Sequence, residues 1–403
     1  MNNNNKIYKA FNHYAFVIKD EFYFMLHDSG VMLLMLGAIF IYSTLYSLAY
    51  RNQVVRNLPV AVVDLNNTPT SRQFIRNFDK SPNVTVEYTP TNLEEAKKLF
   101  YDRKVYGILL IPVHFEKEIL GGEQTVVSIY ADASYFLMYK QMFAAATSTI
   151  GYENIVLETG RFMANNMSEK DAKALSEPVL TETVKLYNRT EGYATFVMPA
   201  IMILILQQTI LIGVGLIGGT FREKRLYERL VDKDGNRFST SSVVLGKTTA
   251  YFSFIAIVAF VVFGAFYKLF GYPTRGKEIE VFMFFIPYIL SSSFLALAIS
   301  TLFKYRETAI LVLVVWSIPF LLFSGVSFPQ QGMPEWFFDF GKIIPSSSAI
   351  NGFIRLQVMG ASLKDISPLY LTLWGLSGIY CILAMVAMHF RLKTEFKRSK
   401  ITE

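Results

Sequence analysis

Two glycine motifs could cradle the phosphates of a nucleotide if the surrounding elements were right. Gly213-Val-Gly215-Leu-Ile-Gly218 matches the G-x-G-x-x-G dinucleotide pattern, which needs a strand before it and a helix opening after it. Gly246-Lys247-Thr248 is similar to the end of a phosphate-binding loop, but the first glycine would fall at Ser241. Both motifs lie in long apolar runs, which favours small residues that let helices pack closely. We predict no nucleotide site in this chain.

Metal-binding and catalytic residue types are scattered along the chain. The histidines His13, His27, His114 and His389 show no ligand spacing, and Cys381 is a single cysteine. No Ser/His/Asp arrangement and no pair of carboxylates can be assembled from the sequence. We therefore predict no catalytic residue, no metal site and no cofactor held by this chain, and we expect that it is not an enzyme.

These residues are embedded in an apolar chain. Of 403 residues, 52% are hydrophobic and 18% are charged, whereas soluble domains are roughly 25% charged. Six long apolar runs hold no charged residue except Lys247, near the start of the third: Gly30–Tyr50, Ala194–Thr220, Leu245–Tyr267, Val281–Phe303, Ala309–Phe328 and Pro368–Phe390. Each run has roughly the 20 residues that a helix needs to cross a hydrocarbon core. The sequence predicts an α-helical polytopic membrane protein with six transmembrane helices and an extracytoplasmic α/β domain inserted between helices one and two.

Lys and Arg predict the orientation. They are concentrated in the segments that face the cytosol if the N-terminus does, and short loops on the other side hold fewer. The formal charge of +7 then lies on the cytosolic face, where it is attracted to anionic membrane lipid. It does not indicate a nucleic-acid-binding surface. We expect both termini in the cytosol and an uncleaved signal anchor as the first helix, rather than a cleaved signal peptide.

The predicted domains follow from these spans. They are a cytosolic tail with an interfacial amphipathic helix (1–29), a first helix (30–50), an extracytoplasmic α/β domain (51–193), a five-helix region (194–390) and a basic cytosolic tail (391–403). The α/β domain has strands predicted at Leu58–Asp64, Asn83–Tyr88, Val105–Ile111 and Val126–Tyr130, a long helical arm from Tyr135, and a second helical piece to Tyr187. The five-helix region contains a charged cytosolic loop (221–244) and an outer re-entrant hairpin (325–367).

We expect no charged residue inside the predicted spans. Lys247, at the start of the third run, is counted with the cytosolic loop. Ion-coupled transporters normally keep ionisable residues at mid-depth, so we expect another source of energy. The polar residues that remain include Gln207, Gln208 and Ser291. These side chains either line a substrate path or hydrogen-bond neighbouring helices, and both interpretations stay open.

The order of elements resembles the permease subunit of a type-2 ABC exporter, of the drug-efflux-like branch with a large extracytoplasmic domain. The motifs that carry this are Lys19-Asp-Glu-Phe22 with His27-Asp28, Phe221-Arg-Glu-Lys224 with Leu245-Gly-Lys247, Phe323-Ser-Gly-Val-Ser-Phe-Pro329 with Met333-Pro334 and Ile344-Pro345, and the outer-domain segments Val63–Ser71 and Ile111–Phe115. The coupling loop of the family usually carries Gly-Thr and Thr-Pro where this chain has Arg225-Leu226 and Phe238-Ser239.

The resemblance implies a dimer, with itself or with a related permease, and a separate ABC ATPase subunit that holds ATP and Mg. It also implies a bacterial inner-membrane location and allows a periplasmic adaptor. The expected ATPase-coupling residues are Glu21, Asp28, Arg222, Glu223, Lys224 and Glu228; the expected substrate path is Gln207, Gln208, Ser291 and Ser324; the hairpin residues are Gly325, Pro329, Pro334, Pro345 and Arg355. The expected function is ATP-driven export of a drug- or lipid-like amphiphile. The alternatives are a receptor or force-transmitting complex and an ion-driven carrier.

Overall fold

The computed structural model describes residues 3–231 and 237–402, and within these ranges the side chains of 8–231, 237–329 and 331–397. The chain forms two compact units. The helical unit comprises Met1–Arg51 and Leu186–Glu403, and the sheet unit comprises Asn52–Lys185.

Among the residues that the structure describes, six helices of the helical unit are long and apolar enough to cross a membrane. These spans, numbered in chain order, are Ser29–Ala49, Tyr193–Glu223, Thr240–Leu269, Glu278–Ser300, Arg306–Phe323 and Ser367–Lys397. The predicted fold class is therefore confirmed: a helical membrane protein with an α/β segment between its first and second spans. The fifth span ends at Phe323, five residues before the end of the predicted run, and its helix is interrupted at Trp316.

Shorter elements complete the helical unit. The first and third spans each contain a π-helical turn, at Leu33–Gly37 and Val261–Phe266. The remaining elements are the N-terminal helix Asn3–His27, the 3-10 turns Leu226–Arg229 and Gln330–Gly332, the helix Glu335–Gly341, the helix Pro345–Phe353 (the hairpin helix) and the π turn Ile354–Val358. The helix of the sixth span continues beyond the span, from Ser367 to Thr402.

Glycines let the second span pack at the centre of the helical unit. A Cβ atom at any of three positions would contact a neighbouring span: at Gly213 it would meet Met35 of the first span, at Gly215 Ala309 of the fifth, and at Gly218 Ser300 of the fourth. Their spacing therefore serves close helix packing, as predicted, because no strand precedes them and the helix has already run for five turns.

The sheet unit is a four-stranded sheet with the order β2-β1-β3-β4. The strands are β1 (Leu58–Asp64), β2 (Val84–Tyr88), β3 (Gly107–Ile111) and β4 (Ser128–Ala131), with β1 parallel to β2 and β3, and β4 antiparallel to β3. Its helices are Pro69–Asp79, Leu93–Tyr101, Phe115–Gly121, Phe136–Ala164 and Glu169–Ser176. All four predicted strands are present to within two residues. The second helical piece expected to reach Tyr187 ends at Ser176, because Pro178 disfavours helix at the residue before it.

We predict that a methyl group at Gly218 destabilises the helical unit. The Cβ of Gly218→Ala would lie 2.7 Å from the Ser300 Cβ and 2.9 Å from the Ser300 carbonyl oxygen, and such overpacking costs about 1–3 kcal/mol. The apparent melting temperature in detergent, followed by size-exclusion chromatography after heating, should fall.

Gly375→Ala is the matched control. A Cβ on Gly375, in the sixth span, meets no atom within 4 Å, so its melting temperature should stay level or rise slightly because Ala favours helix. Equal melting temperatures for the two variants would contradict this packing.

Candidate functional site

A buried ion pair joins the N-terminal helix to the third span. Glu21 and Lys247 form a salt bridge although their side chains are only 1% and 4% exposed, and Tyr251 donates its hydroxyl to the second carboxylate oxygen of Glu21. The Lys247 ammonium also lies 3.8 Å from the centre of the Phe221 ring. The expectation of spans without charge is therefore wrong at Lys247: the residue lies two turns inside the third span, and its charge is balanced by a carboxylate from outside that span.

Polar contacts extend this junction along the third span. The Ser242 hydroxyl donates to the Ala10 carbonyl at 3.1 Å, and the hydroxyls of Tyr14 and Thr249 are 3.0 Å apart. The packed face of the N-terminal helix includes Val17 and Met25. The interfacial amphipathic helix predicted here buries only some of its apolar side chains, since Met25 is buried and Phe11 is 64% exposed. The exposed aromatic side of this helix is suited to a membrane interface.

The loop after the second span is held by buried side chains and by a hydrogen bond between its two ends. Tyr227 is buried, its ring is 5.5 Å from that of Phe221, and burial raises the pKa of its phenol. The Phe238 amide donates to the Leu230 carbonyl at 2.9 Å, which brings the two ends of the loop together. The sequence Asp234-Gly235-Asn236 is typical of a turn, and it lies with the rest of 232–236 outside the described residues.

Charged residues of this loop face outward. We call the exposed set the contact surface: Glu223, Lys224, Arg225, Glu228 and Arg229. Arg222 is half-buried and donates to the Leu302 carbonyl at 3.3 Å, and Arg229 pairs at 3.3 Å with Asp20 of the N-terminal helix. Three of the six predicted coupling residues therefore lie on one exposed surface, whereas Glu21 faces inward.

Arg225 occupies the position where the family pattern usually has glycine. Its φ of 53° lies in the left-handed region that glycine adopts most readily. The loop therefore keeps the backbone turn with a non-glycine residue, which places the Arg225 side chain on the contact surface.

Asp28 connects the first and fifth spans. Its carboxylate caps the first span, accepting from the amides of Gly30 at 3.0 Å and Val31 at 3.1 Å. Arg306, the first residue of the fifth span, donates to both carboxylate oxygens, one at 2.6 Å. Hydrogen bonding to Arg306 lowers the pKa of Asp28 below its ordinary value of 3.8.

Two of the four predicted substrate-path residues, Gln207 and Ser324, each contact the hairpin helix. The Ser346 amide donates to Gln207 Oε1 at 2.7 Å, and the Asn351 side chain donates to the Ser324 carbonyl at 3.0 Å. Gln208 is buried beside Gln207 on the second span. The Ser291 hydroxyl bonds within its own helix, to the Tyr288 carbonyl at 3.0 Å.

The predicted hairpin residues mark breaks between short helices. Gly325 has a φ of +77°, Pro334 precedes the helix Glu335–Gly341, and Pro345 is the first residue of the hairpin helix. Pro329 precedes a 3-10 turn, and Arg355 is exposed in the π turn that follows the hairpin helix.

Sequence reasoning missed Tyr251, Arg306 and the burial of Lys247. A lysine inside an apolar run is the signal that was available, because such a charge requires a partner. Its partner lies 226 residues away, so no local pattern identifies it. Among the described residues, no group of three or more His, Cys, Asp and Glu could hold a metal ion.

Residues 30–386 match the protein family described as "ABC-2 family transporter protein". This chain belongs to the ABC-2 transporter family. It is a membrane permease domain, a non-catalytic transmembrane subunit, and the ABC-2 family implies an ATPase partner.

Two kinds of curated protein are similar to this ABC-2 chain. ABC transporter G family member 20 of Dictyostelium discoideum is 21% identical over 387 residues, covering 95% of this chain and 52% of that protein. Inner membrane transport permease YhhJ of Escherichia coli (strain K12) is 22% identical over 343 residues, covering 81% of this chain and 84% of that protein, and YhhJ of Shigella flexneri matches equally. The chain spans about half the length of the Dictyostelium relative.

We predict that Asp28 stabilises this ABC-2 permease in a pH-dependent way. Because its folded-state pKa is lowered, its contribution is present above the ordinary value of 3.8 and is lost as pH falls through the folded pKa. Asp28→Asn should lower stability at pH 7 by about 1–3 kcal/mol. The difference from the unmodified chain should shrink below about pH 4.

The measurement is the unfolding midpoint in detergent between pH 3 and 7. Asp339→Asn is the control, because Asp339 forms an exposed pair with Lys342 and such pairs contribute little. A gap between Asp28→Asn and the unmodified chain that is constant with pH would contradict this role of Asp28.

Proposed function

We propose that this chain is the permease of an ATP-driven exporter that moves an amphiphilic, drug- or lipid-like molecule out of the cytosol or inner leaflet. Separate ATPase subunits would dock on the contact surface and hold the ATP and Mg. The proposal rests mainly on one observation: the contact surface is exposed, while the residues beneath it are fixed to the spans.

The contacts of the loop support mechanical coupling. The loop continues directly from the second span into the third, and the Arg229–Asp20 pair connects it to the N-terminal helix. The Glu21–Lys247 pair connects that helix back to the third span. A push on the contact surface would therefore move the N-terminal helix and two spans together. Glu21 would act by positioning the N-terminal helix, since its carboxylate is bound within the chain.

The remaining assignments follow from the orientation and from the family. We place the chain in the bacterial inner membrane with both termini cytosolic and residues 51–193 extracytoplasmic. YhhJ, a relative over most of the chain, is named as an inner membrane permease. Two copies, or this chain and a related permease, would form the transport pathway, and the sheet unit is the candidate site for a periplasmic adaptor.

We predict that Glu223→Ala and Glu228→Ala each weaken coupling to the ATPase. Each removes an exposed carboxylate of the contact surface, and loss of one interfacial charge contact should lower ATP-dependent transport about fivefold. The measurement is ATP-dependent transport of pyrene-labelled dodecanoate in vesicles that contain the chain and its ATPase.

Glu335→Ala is the control for these variants, because Glu335 is an exposed carboxylate of the hairpin. Its transport rate should equal that of the unmodified chain. Unchanged coupled turnover in both loop variants would remove the contact surface from the ATPase interface. ATP-dependent motion without transport would favour a force-transmitting complex.

We predict opposite sidedness for the loop and the sheet unit. In a Cys381→Ser chain, which has no other cysteine, Gln124→Cys should react with a membrane-impermeant maleimide added to spheroplasts. Lys224→Cys should react only after the membrane is permeabilised. Both positions are exposed in the structure, so labelling of Lys224→Cys in intact spheroplasts would reverse the orientation.

A further inference from the structure

The hairpin helix begins beside the middle of the second span. Its Ser346 amide donates to Gln207 Oε1 at 2.7 Å. Gln207 is close to the midpoint of the 31-residue helix Tyr193–Glu223, so it lies roughly 20 Å along the axis from either end. The N-terminus of a helix carries partial positive charge; here the first residue, Pro345, has no N–H, and the Ser346 and Ser347 amides donate to Gln207 and Ile344. Such helix ends at mid-membrane depth are where transporters bind oxygen-bearing groups of substrates.

Polar atoms without a partner surround this helix end. Gln207 Nε2 and the hydroxyls of Ser346 and Ser347 are buried and have no hydrogen-bond partner among the described residues. Gln207 and Ser346 are 0% exposed, and Ser347 is 6% exposed. Leaving a buried polar group unpaired costs about 1–3 kcal/mol, so a ligand that completed the hydrogen bonds of these three groups would be stabilised at this helix end.

Helical spacing places Ser292 of the fourth span near the level of Gln207. The Tyr288 hydroxyl donates to the Ile203 carbonyl at 2.6 Å, and Ser292 and Gln207 each follow those residues by four positions, one helical turn. The two spans run in the same direction, since Gly218 packs on Ser300 further along. The Ser292 hydroxyl is also buried and has no partner among the described residues.

The chemistry of these side chains selects the ligand. Gln207, Ser292, Ser346 and Ser347 supply amide and hydroxyl donors and carry no formal charge, and the helix end adds a positive dipole. We propose that they bind a hydrogen-bond-accepting oxygen group, such as a phosphate or a sugar hydroxyl, of a neutral or anionic amphiphile, and that they disfavour a cationic one. This deepens the proposed function by naming the class of substrate, and it depends on that function only for transport.

Binding can be measured without the ATPase. The full chain in nanodiscs of zwitterionic lipid is dialysed against radiolabelled decyl phosphate, decyl maltoside, decyltrimethylammonium or inorganic phosphate, and binding to empty nanodiscs is subtracted. We expect saturable binding of the phosphate and maltoside amphiphiles, at least tenfold weaker binding of the ammonium, and none of inorganic phosphate. Equal affinity for the three amphiphiles would overturn the proposal, and equal affinity for inorganic phosphate would show an ion site instead.

Three serine variants locate the site. Ser292→Ala and Ser346→Ala should each weaken decyl phosphate binding about three- to tenfold, the effect of one lost hydrogen bond. Ser300→Ala is the matched control, because Ser300 is equally buried on the fourth span but its hydroxyl donates to its own helix at Leu297; its affinity should not change. Unchanged affinity in both test variants would remove this site.

A variant that changes charge gives a second test, independent of lost contacts. Gln207→Glu keeps the shape of the side chain and adds a carboxylate, so it should reverse the preference between decyl phosphate and decyltrimethylammonium. An unchanged preference would also overturn the site. Selective binding without ATP-driven transport would refute the proposed function and leave the site intact, whereas transport with unselective binding would do the opposite.

Discussion

The structure depends on burying one charge well. A lysine ammonium inside a membrane helix is tolerated only with a partner, and Lys247 obtains its partner from Glu21 of the N-terminal helix, with Tyr251 and the Phe221 ring completing its surroundings. Removing one partner of such a pair costs roughly 3–5 kcal/mol. The N-terminal helix is therefore held against the third span. The charged loop is fixed to that helix in turn, through the Arg229–Asp20 pair.

The same requirement organises the middle of the bundle in a different way. Glycines bring the second span close to its neighbours, and in this packed interior the hairpin helix begins beside Gln207. Here the polar groups are neutral, and several lack partners among the described residues. The charged site, near the loop, is satisfied within the chain and holds elements together. The neutral one, at mid-span, has the donors that we propose bind a ligand.

Much of the fold could be predicted because its signals are local. Spans appear as runs without charge, and the strands of the sheet unit as short apolar segments such as Leu58–Asp64. The exposed part of the candidate site, including Glu223 and Glu228, was also visible as a charged loop. The inward position of Glu21 was not, because it depends on Lys247 at a separation of 226 residues. The substrate-path residues could be named by polarity, but only the tertiary structure shows that Ser291 is satisfied by its own helix and that Ser346 faces Gln207.

The charge of Lys247 is neutralised within the chain by Glu21, and we propose that the energy for transport comes from a partner ATPase. The direct test is accumulation of pyrene-labelled dodecanoate in inside-out vesicles that contain this chain, under an imposed proton or sodium gradient without ATP, and then with the ATPase and ATP. We predict accumulation only in the second case. Uphill accumulation driven by an ion gradient through the chain alone would contradict this account.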